Sequence, residues 1–242
     1  NKHFSLTPTE IALLNPNTKT CPVFQNKRDA NVTKSIYHHI PIFVEESDQA
    51  LNAWETGFKQ GLFNSSSASR LFFTQEQLQD DGFTLVSNMF TKDEIIFVPL
   101  YEAKYTQQYD HRSGTFAGIP KANMFKTRAG TNQLSENDKQ NPSEAIIPRY
   151  WINSNDVDEA IPKGWDKNWF MAFRKTTRPA TDSRSTMVSI VPRYGITDKL
   201  PLILPSSQFE FQVTSLLANL NVFVLDFVTR LKIGGSDLSH FI

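Results

Sequence analysis

Apolar residues recur at steps of three and four through a long stretch near the C-terminus, from Ser206 to Leu231. This spacing predicts an amphipathic helix whose apolar stripe packs against a core. Such a helix would extend on the order of 40 Å, beginning at Ser206 or Ser207 and ending at Gly234-Gly235. The stripe comprises Phe209, Val213, Leu216, Leu217, Leu220, Phe223, Val224, Phe227 and Leu231. The polar residues that fall mostly off it are Asn219, Asn221, Asp226 and Arg230.

Short apolar runs rich in β-branched and aromatic residues predict strands upstream of this helix. They are 83–86, 95–101, 145–152, 169–174, 186–191 and 200–204. Shorter helices are predicted from Asp29 to His39 and from Thr74, where Thr74-Gln75-Glu76-Gln77 resembles a capping box and Gly82 ends the helix. Strands followed by one long helix predict an α+β fold built on a twisted mixed or antiparallel sheet.

Composition narrows the possibilities only slightly. The 242 residues contain 25 Lys+Arg and 25 Asp+Glu, so the net charge of zero does not indicate a polyanionic partner. Cys21 is the only cysteine, which excludes an internal disulfide and fits a reducing cytoplasm. No apolar run predicts a membrane span, and Asn1-Lys2-His3-Phe4 does not begin a signal peptide. A first residue other than Met and an apolar Phe241-Ile242 end predict a piece of a longer protein.

Charge is balanced overall but not locally. Between 170 and 200, six cations accompany only Asp182 and Asp198, and Arg149 precedes Tyr150-Trp151. Cations interleaved with aromatic residues suit a phosphate backbone with bases behind it. The alternative is a solvated face with scattered ion pairs. The six cations are Arg174, Lys175, Arg178, Arg184, Arg193 and Lys199.

Other candidate chemistry is weaker. Glu102-Ala103-Lys104 after a strand resembles half of a nuclease motif, but such a site also needs an upstream Asp on a neighbouring strand. Asp81 and Asp93 do not lie in convincing strands, so a surface ion pair or a backbone-contacting lysine is the alternative. Asp110-His111-Arg112 lies in a long polar stretch, 110–144, where His111 suits binding more than catalysis.

The remaining patterns exclude several classes of site. His38-His39 has no carboxylate or cysteine at metal-ligand spacing. The chain contains no glycine-rich phosphate loop and no nucleophile elbow, and Cys21 has no neighbouring base.

Several motifs in order resemble one family nearly end to end. The chain is similar to the C-terminal half of large bacterial N6-adenine DNA methyltransferases, as found in type IIG restriction–modification enzymes and related phage-defence systems. The matching stretches are Ser5-Leu6-Thr7-Pro8, Asn15-Pro16-Asn17-Thr18, Cys21-Pro22-Val23-Phe24, Arg28-Asp29-Ala30, Pro99-Leu100-Tyr101-Glu102-Ala103-Lys104, Asp110-His111-Arg112, Pro148-Arg149-Tyr150-Trp151, Pro201-Leu202-Ile203-Leu204-Pro205, Ala218-Asn219-Leu220-Asn221, Asp226 and Lys232-Ile233-Gly234-Gly235.

In that family an N-terminal domain binds S-adenosylmethionine, and its Asn-Pro-Pro-aromatic motif holds the flipped adenine. This chain has neither that motif nor a Gly-x-Gly cofactor loop. The resemblance therefore implies a target-recognition domain similar to TaqI-type specificity domains, without a cofactor of its own. It implies two partners, double-stranded DNA and the parent's methyltransferase domain. Residues 1–94 would follow that domain as a linker region, and 95–242 would form the recognition domain.

A recognition domain positions itself on phosphates and contacts base edges in the major groove. The resemblance and the cation pattern together select eight candidate DNA-binding residues: Lys104, His111, Arg112, Arg149, Arg174, Arg178, Arg184 and Lys232. Arg184 is the leading candidate because small polar neighbours should leave it reachable. Two alternatives stay open, a metal-dependent nuclease using Glu102 and Lys104, and a protein-interaction module that docks through the long helix.

Overall fold

The computed structural model describes residues 4–126, 129–233 and 235–238. Residue contacts divide the chain into two units. Unit 1 is formed by 1–57, 177–186 and 204–242, and unit 2 by 58–176 and 187–203. The stretch 1–94 contributes to both units. The predicted division at residue 94 concerns the organisation of a parent protein, and it stays a prediction.

The chain alternates short helices with short strands. The α-helices are α1 (Pro8–Leu14), α2 (Lys27–His39), α3 (Gln75–Asp80), α4 (Lys121–Met124), α5 (Glu136–Gln140), α6 (Ser154–Ala160), α7 (Val213–Leu220) and α8 (Phe223–Lys232). The 3₁₀ helices are Gln49–Leu51, Ser69–Leu71, Ala103–Tyr105 and Ser207–Gln212. The strands are β1 (Gly57–Lys59), β2 (Thr84–Val86), β3 (Met89–Lys92), β4 (Ile95–Tyr101), β5 (Gly114–Thr115), β6 (Asn132–Gln133), β7 (Trp151–Asn153), β8 (Trp169–Phe173), β9 (Val188–Pro192), β10 (Gly195–Ile196) and β11 (Leu202–Leu204).

Among the described residues the strands form three sheets, which together with the helices confirm the predicted α+β class. One sheet has the order β1-β11-β8-β9, and β8 pairs antiparallel with both β11 and β9. The second has the order β10-β4-β3-β2, with β7 also paired to β4. Only its β10–β4 pairing is parallel, so this sheet is mixed. A small antiparallel pair, β5 and β6, makes the third.

Local signals in the sequence located α2, α3, the C-terminal helical region and six of the strands, which are β2, β4, β7, β8, β9 and β11. Thr74 caps α3 with a reciprocal capping box, because its side chain accepts from the Gln77 amide and the Gln77 side chain accepts from the Thr74 amide. The helix predicted to begin at Asp29 begins earlier, because Asn26 is its cap and accepts from the Asp29 amide. The strand predicted over 145–152 is shorter, since regular pairing begins only at Trp151 and Pro148 has no amide to donate.

Apolar packing in unit 2 centres on the mixed sheet. Trp151 of β7 is buried, meets the Phe90 ring edge-on at 5.1 Å, and donates its indole N–H to the Asn88 carbonyl at 2.8 Å. Leu78 of α3 and Phe97 of β4 complete this cluster. Burying this much aromatic surface fixes β4 and β7, and so it fixes the loops that follow them.

The C-terminal apolar stretch is helical, but it is not one helix. The 3₁₀ helix Ser207–Gln212 leads into α7, which ends at Leu220 with Asn221 as its C-cap, and α8 begins after an extended Val222 at a bend of 63°. The Asn221 side chain donates to the Leu217 carbonyl, a local bond that competes with helix continuation. The prediction of a single helix is therefore wrong at this junction, and the predicted Gly234 cap lies outside the described residues.

The break also changes which residues face the core. Leu216, Leu220 and Leu231 are buried as predicted, but Phe223 is 78% exposed and Val224 is 46% exposed. Asp226, predicted to lie off the apolar stripe, is only 5% exposed. Within the described ranges, no single helix is long and apolar enough to cross a membrane. The bent pair Ser207–Leu220 and Phe223–Lys232 meets that test only when taken together.

Candidate nucleic-acid interface

In unit 1, one buried carboxylate organises the connecting loop 177–186. Oδ1 of Asp226, on α8, accepts the backbone N–H groups of Ser185 and Thr186 at 2.6 and 2.9 Å. Its Oδ2 accepts from Nε of Arg230, one helical turn later, at 2.9 Å. Asp226 therefore fixes the C-terminal end of the loop to α8.

Arg230 fixes the middle of the same loop. Its Nη1 donates to the Pro179 carbonyl at 2.6 Å, and its Nη2 donates to the Asp182 carbonyl at 2.8 Å. Asp182 in turn accepts the backbone N–H of Arg178 on its carboxylate at 2.9 Å. The helix thus holds both the carboxylate and the guanidinium that set the loop's backbone path.

The electrostatics of Asp226 match this structural role. Burial alone would raise the pKa of its carboxyl group, but the Thr186 N–H, the Arg230 guanidinium and the Ser185 N–H together outweigh that effect. The net result is a pKa below the usual value for aspartate, so the group is ionised at neutral pH.

Arg184 contributes to this loop anchor. Its Nη2 donates to the Asn221 carbonyl at the α7–α8 junction, and its guanidinium lies 4.2 Å from the centre of the Phe223 ring. Nε lies 3.7 Å from Oδ1 of Asp226, and only 13% of the side chain is exposed. The expectation that Arg184 is reachable because its neighbours are small is therefore wrong. Residues distant in sequence, which local composition does not reveal, cover it.

Arg178 is different. It is exposed on the anchored loop, and within the part of the chain that the structure describes its guanidinium forms no ion pair or hydrogen bond. Arg174, at the end of β8, is half-buried, and its Nη1 lies 3.5 Å from the sulfur of Met187. Arg178 is thus the candidate cation of this region that is best placed to meet a ligand.

Lys232, at the end of α8, lies over an aromatic ring. Its Nζ is 4.7 Å from the centre of the Tyr37 ring on α2. Burial lowers the pKa of Lys232 to about 8 and raises the pKa of Tyr37 to about 12. The glycine turn expected to bring this lysine to a phosphate involves Gly234, which lies outside the described residues.

In unit 2, Arg149 and Lys104 converge on Glu102. Arg149 makes a bidentate pair with Glu102 through Nε at 2.7 Å and Nη2 at 2.8 Å. Lys104 lies 3.5 Å from Oε2 of Glu102 and donates to the Ala129 carbonyl at 3.1 Å. Both cations approach the Phe116 ring, at 5.5 Å for Arg149 and 5.3 Å for Lys104. This cluster joins β4 to the segment before β7 and favours a structural role for its members.

The same cluster does not favour the nuclease alternative. Both Glu102 oxygens already accept from Arg149, so a metal ion would have to compete with a planar guanidinium for them. Desolvation lowers the pKa of Lys104, with Glu102 opposing the shift. Among the described residues, no group of three His, Cys, Asp or Glu side chains could hold a metal ion.

His111 and Arg112 lie at a cavity of about 630 Å³ within unit 2. The cavity is lined by the β2–β3 turn, the end of β4, the 142–146 segment and the residues between β9 and β10. The Tyr101 hydroxyl and His111 Nδ1 lie 3.2 Å apart. Burial, together with the Arg112 charge, lowers the pKa of His111 despite the opposing Asp110, so the imidazole is neutral at neutral pH.

Arg112 fixes one wall of this cavity. Its Nη1 donates to the carbonyls of Asn141 and Glu144 at 2.9 and 2.7 Å, and its Nη2 donates to the Lys139 carbonyl at 2.8 Å. An ion pair of 2.9 Å between Lys139 and Asp110 closes the same segment. The Arg112 guanidinium, which was predicted to bind DNA, therefore fixes the C-terminal end of the long polar stretch 110–144 through hydrogen bonds to its backbone.

The structure brings six of the eight predicted residues together in three places. Arg178 and Arg184 belong to the loop 177–186 of unit 1, and in unit 2 Lys104 and Arg149 belong to the Glu102 cluster while His111 and Arg112 line the cavity. Arg174 lies beside Met187 in unit 2, and Lys232 lies beside Tyr37 in unit 1. Sequence reasoning did not select Asp226 and Arg230, although an acid and a base at i and i+4 on a helix signal a pair.

Comparison with known proteins adds nothing to these groupings. The chain matches no protein-family model, no curated protein and no solved structure.

Proposed function

We propose that this chain is a sequence-specific double-stranded DNA recognition module of a bacterial N6-adenine DNA methyltransferase from a restriction–modification or phage-defence system. The observation that supports it best is the loop 177–186, which Asp226 and Arg230 hold rigidly while Arg178 stays exposed. A preorganised cation contacts phosphate at a lower entropic cost than one on an unanchored loop. The adenine methyltransferase activity of the parent protein is inferred from the family that the sequence resembles.

The transfer chemistry is assigned to another part of the parent protein. S-adenosylmethionine would bind in a methyltransferase domain, since this sequence has neither the Asn-Pro-Pro motif nor a Gly-x-Gly loop. This domain and double-stranded DNA are the proposed partners. The proposed location is the bacterial cytoplasm, where the resemblance places such enzymes.

Salt-dependent duplex binding tests the proposal. A pool of randomised duplexes is titrated with the chain from about 50 mM to 200 mM salt, since each phosphate contact contributes about one unit to the salt slope. We expect Arg178→Ala to weaken binding of all sequences similarly, to lower that slope by about 1, and to leave the fold unchanged. Arg70→Ala is the matched control, because Arg70 is also an exposed arginine but lies on the 3₁₀ helix Ser69–Leu71 of unit 2.

Binding, stability and cleavage measurements separate DNA recognition from the nuclease alternative. No duplex affinity at low salt would count against DNA recognition itself, and equal effects of Arg178→Ala and Arg70→Ala would count against the proposed role of this loop. Arg184→Ala is expected to reduce binding only together with stability, because it anchors the loop. Cleavage of the duplex with magnesium or manganese, lost in Lys104→Ala, would instead support the nuclease alternative.

A second candidate function is favoured by two exposed aromatic rings. Phe211 is 99% exposed and Phe223 is 78% exposed at the broken C-terminal helical region. Contiguous exposed apolar patches are typical of protein-interaction surfaces, and these two rings are candidate members of such a patch. This observation keeps the helix-mediated interaction module as the alternative to a DNA-recognition module.

A further inference from the structure

The cavity in unit 2 has an aromatic wall. The Tyr101 and Tyr194 rings lie with centres 6.0 Å apart at 44°, and the His111 ring lies 6.3 Å from Tyr101 at 36°. Tyr194 and His111 are half-buried, whereas Tyr101 is buried behind them. A planar ligand entering the cavity would therefore find ring surfaces for stacking.

The rest of the lining offers hydrogen bonds of both kinds. Arg112 supplies donors and Glu144 supplies acceptor oxygens. The Asn88 amide is only 5% exposed and donates to the Ile146 carbonyl at 3.3 Å, so it is part of the wall. One cation and one carboxylate line the space, so the cavity has no strong preference for an anion. A neutral planar ring with donors and acceptors on its edge matches this lining, which is the chemistry of a nucleobase.

The cavity is also preformed. Three carbonyl bonds from Arg112 and the Asp110–Lys139 ion pair hold the 139–144 segment, and the Trp151 bond to the Asn88 carbonyl holds the β2–β3 turn. Its volume of about 630 Å³ lies within the range of small-molecule sites. A ligand would therefore bind to groups that are already ordered, which lowers the entropic cost of binding.

We infer that this cavity binds a single unpaired nucleobase, stacked on Tyr194 and His111 with its edge toward Arg112 and Glu144. The base has two possible sources, a DNA strand in which it has lost its partner or a free nucleoside. The first source rests on the proposed DNA-binding function, and the second does not.

The experiment compares three duplexes of one sequence with the whole chain. One is fully paired, one has a single unpaired base in the middle, and one has an abasic site at that position. We expect the unpaired-base duplex to bind at least about tenfold more tightly than the abasic one, as stacking of one base on aromatic side chains allows. Adenosine, guanosine, cytidine and thymidine are titrated separately, with binding followed by chemical shifts of the protein.

Two variants test whether the unpaired base binds in this cavity. Ser143→Trp fills the cavity from an exposed position of its lining, and Tyr194→Leu removes a stacking surface while keeping an apolar side chain. Both should abolish the preference for the unpaired base and the nucleoside shifts. Ser66→Trp, on an exposed loop outside the lining, is the control and should preserve both. Thermal melts confirm that each variant folds.

The outcomes distinguish this inference from the proposed function. Duplex binding with equal affinity for unpaired-base and abasic DNA, and no nucleoside shifts, would overturn the cavity inference while DNA recognition stands. Nucleoside shifts that Ser143→Trp removes, without any duplex affinity, would support the cavity and count against DNA recognition. A preference for the unpaired base that persists in both Ser143→Trp and Tyr194→Leu would place the base elsewhere and overturn the inference.

Discussion

Arg178 and Arg184 belong to one loop but perform different physical tasks. Arg184 is covered by Phe223 and bonded to the Asn221 carbonyl, so its charge stabilises the fold. Arg178 is exposed, and among the described residues its guanidinium forms no hydrogen bond or ion pair, so its charge is available to a ligand. Both residues are arginines within seven positions of each other, and the small polar neighbours of Arg184 do not keep it exposed. Burial alone separates the anchoring residue from the candidate contact.

Lys232 gives a pH-dependent prediction at the residue scale. Burial lowers its pKa to about 8, below the ordinary value of 10.5, so between these two values the unfolded chain binds more protons than the folded one. Stability from this group should therefore increase as pH rises from about 8 to about 10. We expect the free energy of unfolding of the wild type to rise relative to Lys232→Met over that range, measured by urea denaturation at each pH.

The comparison with Lys232→Met removes contributions from every other titrating group. At neutral pH, where the buried ammonium is charged, the methionine variant should be at least as stable as the wild type. A stability difference between the two proteins that stays constant from pH 7 to pH 10 would show that Lys232 titrates normally in the folded state.

At the scale of elements, α8 is the support for the loop that follows β8. Asp226→Ala should destabilise the protein by about 3 kcal/mol, because it leaves two buried backbone N–H groups and Nε of Arg230 without their acceptor. Asp158→Ala is the control, since its ion pair with Arg193 is at the surface and should contribute at most about 1 kcal/mol. Urea denaturation measures both.

The sign of the pH effect follows from the lowered pKa of Asp226. The stabilisation by Asp226 is fully present above the pKa of an aspartate in the unfolded chain, which is about 4. It is lost as pH falls through the lower pKa that Asp226 has in the folded chain. The difference between wild type and Asp226→Ala should therefore shrink below about pH 4. An Asp226→Ala variant as stable as Asp158→Ala at pH 7 would contradict the anchoring role.

At the scale of the whole molecule, zero net charge means that binding to DNA would depend on locally placed cations and not on long-range attraction. The exposed apolar rings are the feature that competes with this interpretation. Sedimentation at micromolar concentration distinguishes a monomer from an assembly that these rings hold together. If Phe211 mediates self-association, the chain should sediment as an oligomer that Phe211→Asp dissociates.

Phe211 is the better position for this test than Phe223. It is almost fully exposed, so an added charge has no folding cost, whereas Phe223 also covers Arg184. Asn219→Asp, on the exposed side of α7, is the matched control for an added charge in the same region. Dissociation by both variants alike would mean that overall charge, and not the Phe211 ring, controls assembly.

The sequence by itself determined those features that depend on neighbouring residues. The capping box at Thr74, the strands β2, β4 and β8, the α+β class and the helical C-terminal region all follow from local hydrogen bonding and from side-chain periodicity. Each of these signals extends over a few residues. Such a local signal therefore predicts the same element in any tertiary arrangement that buries the apolar side of that element.

Only the tertiary structure decided the features that join distant residues. Unit 1 assembles three separate stretches of the chain, so the burial of Arg184 and Asp226 depends on contacts that no local pattern encodes. The break at Asn221 likewise coincides with the site where Arg184 bonds the helix end. The cavity at Tyr101 and His111 combines five segments of unit 2. Periodicity predicts which side of an element is apolar, but long-range packing determines what that side meets.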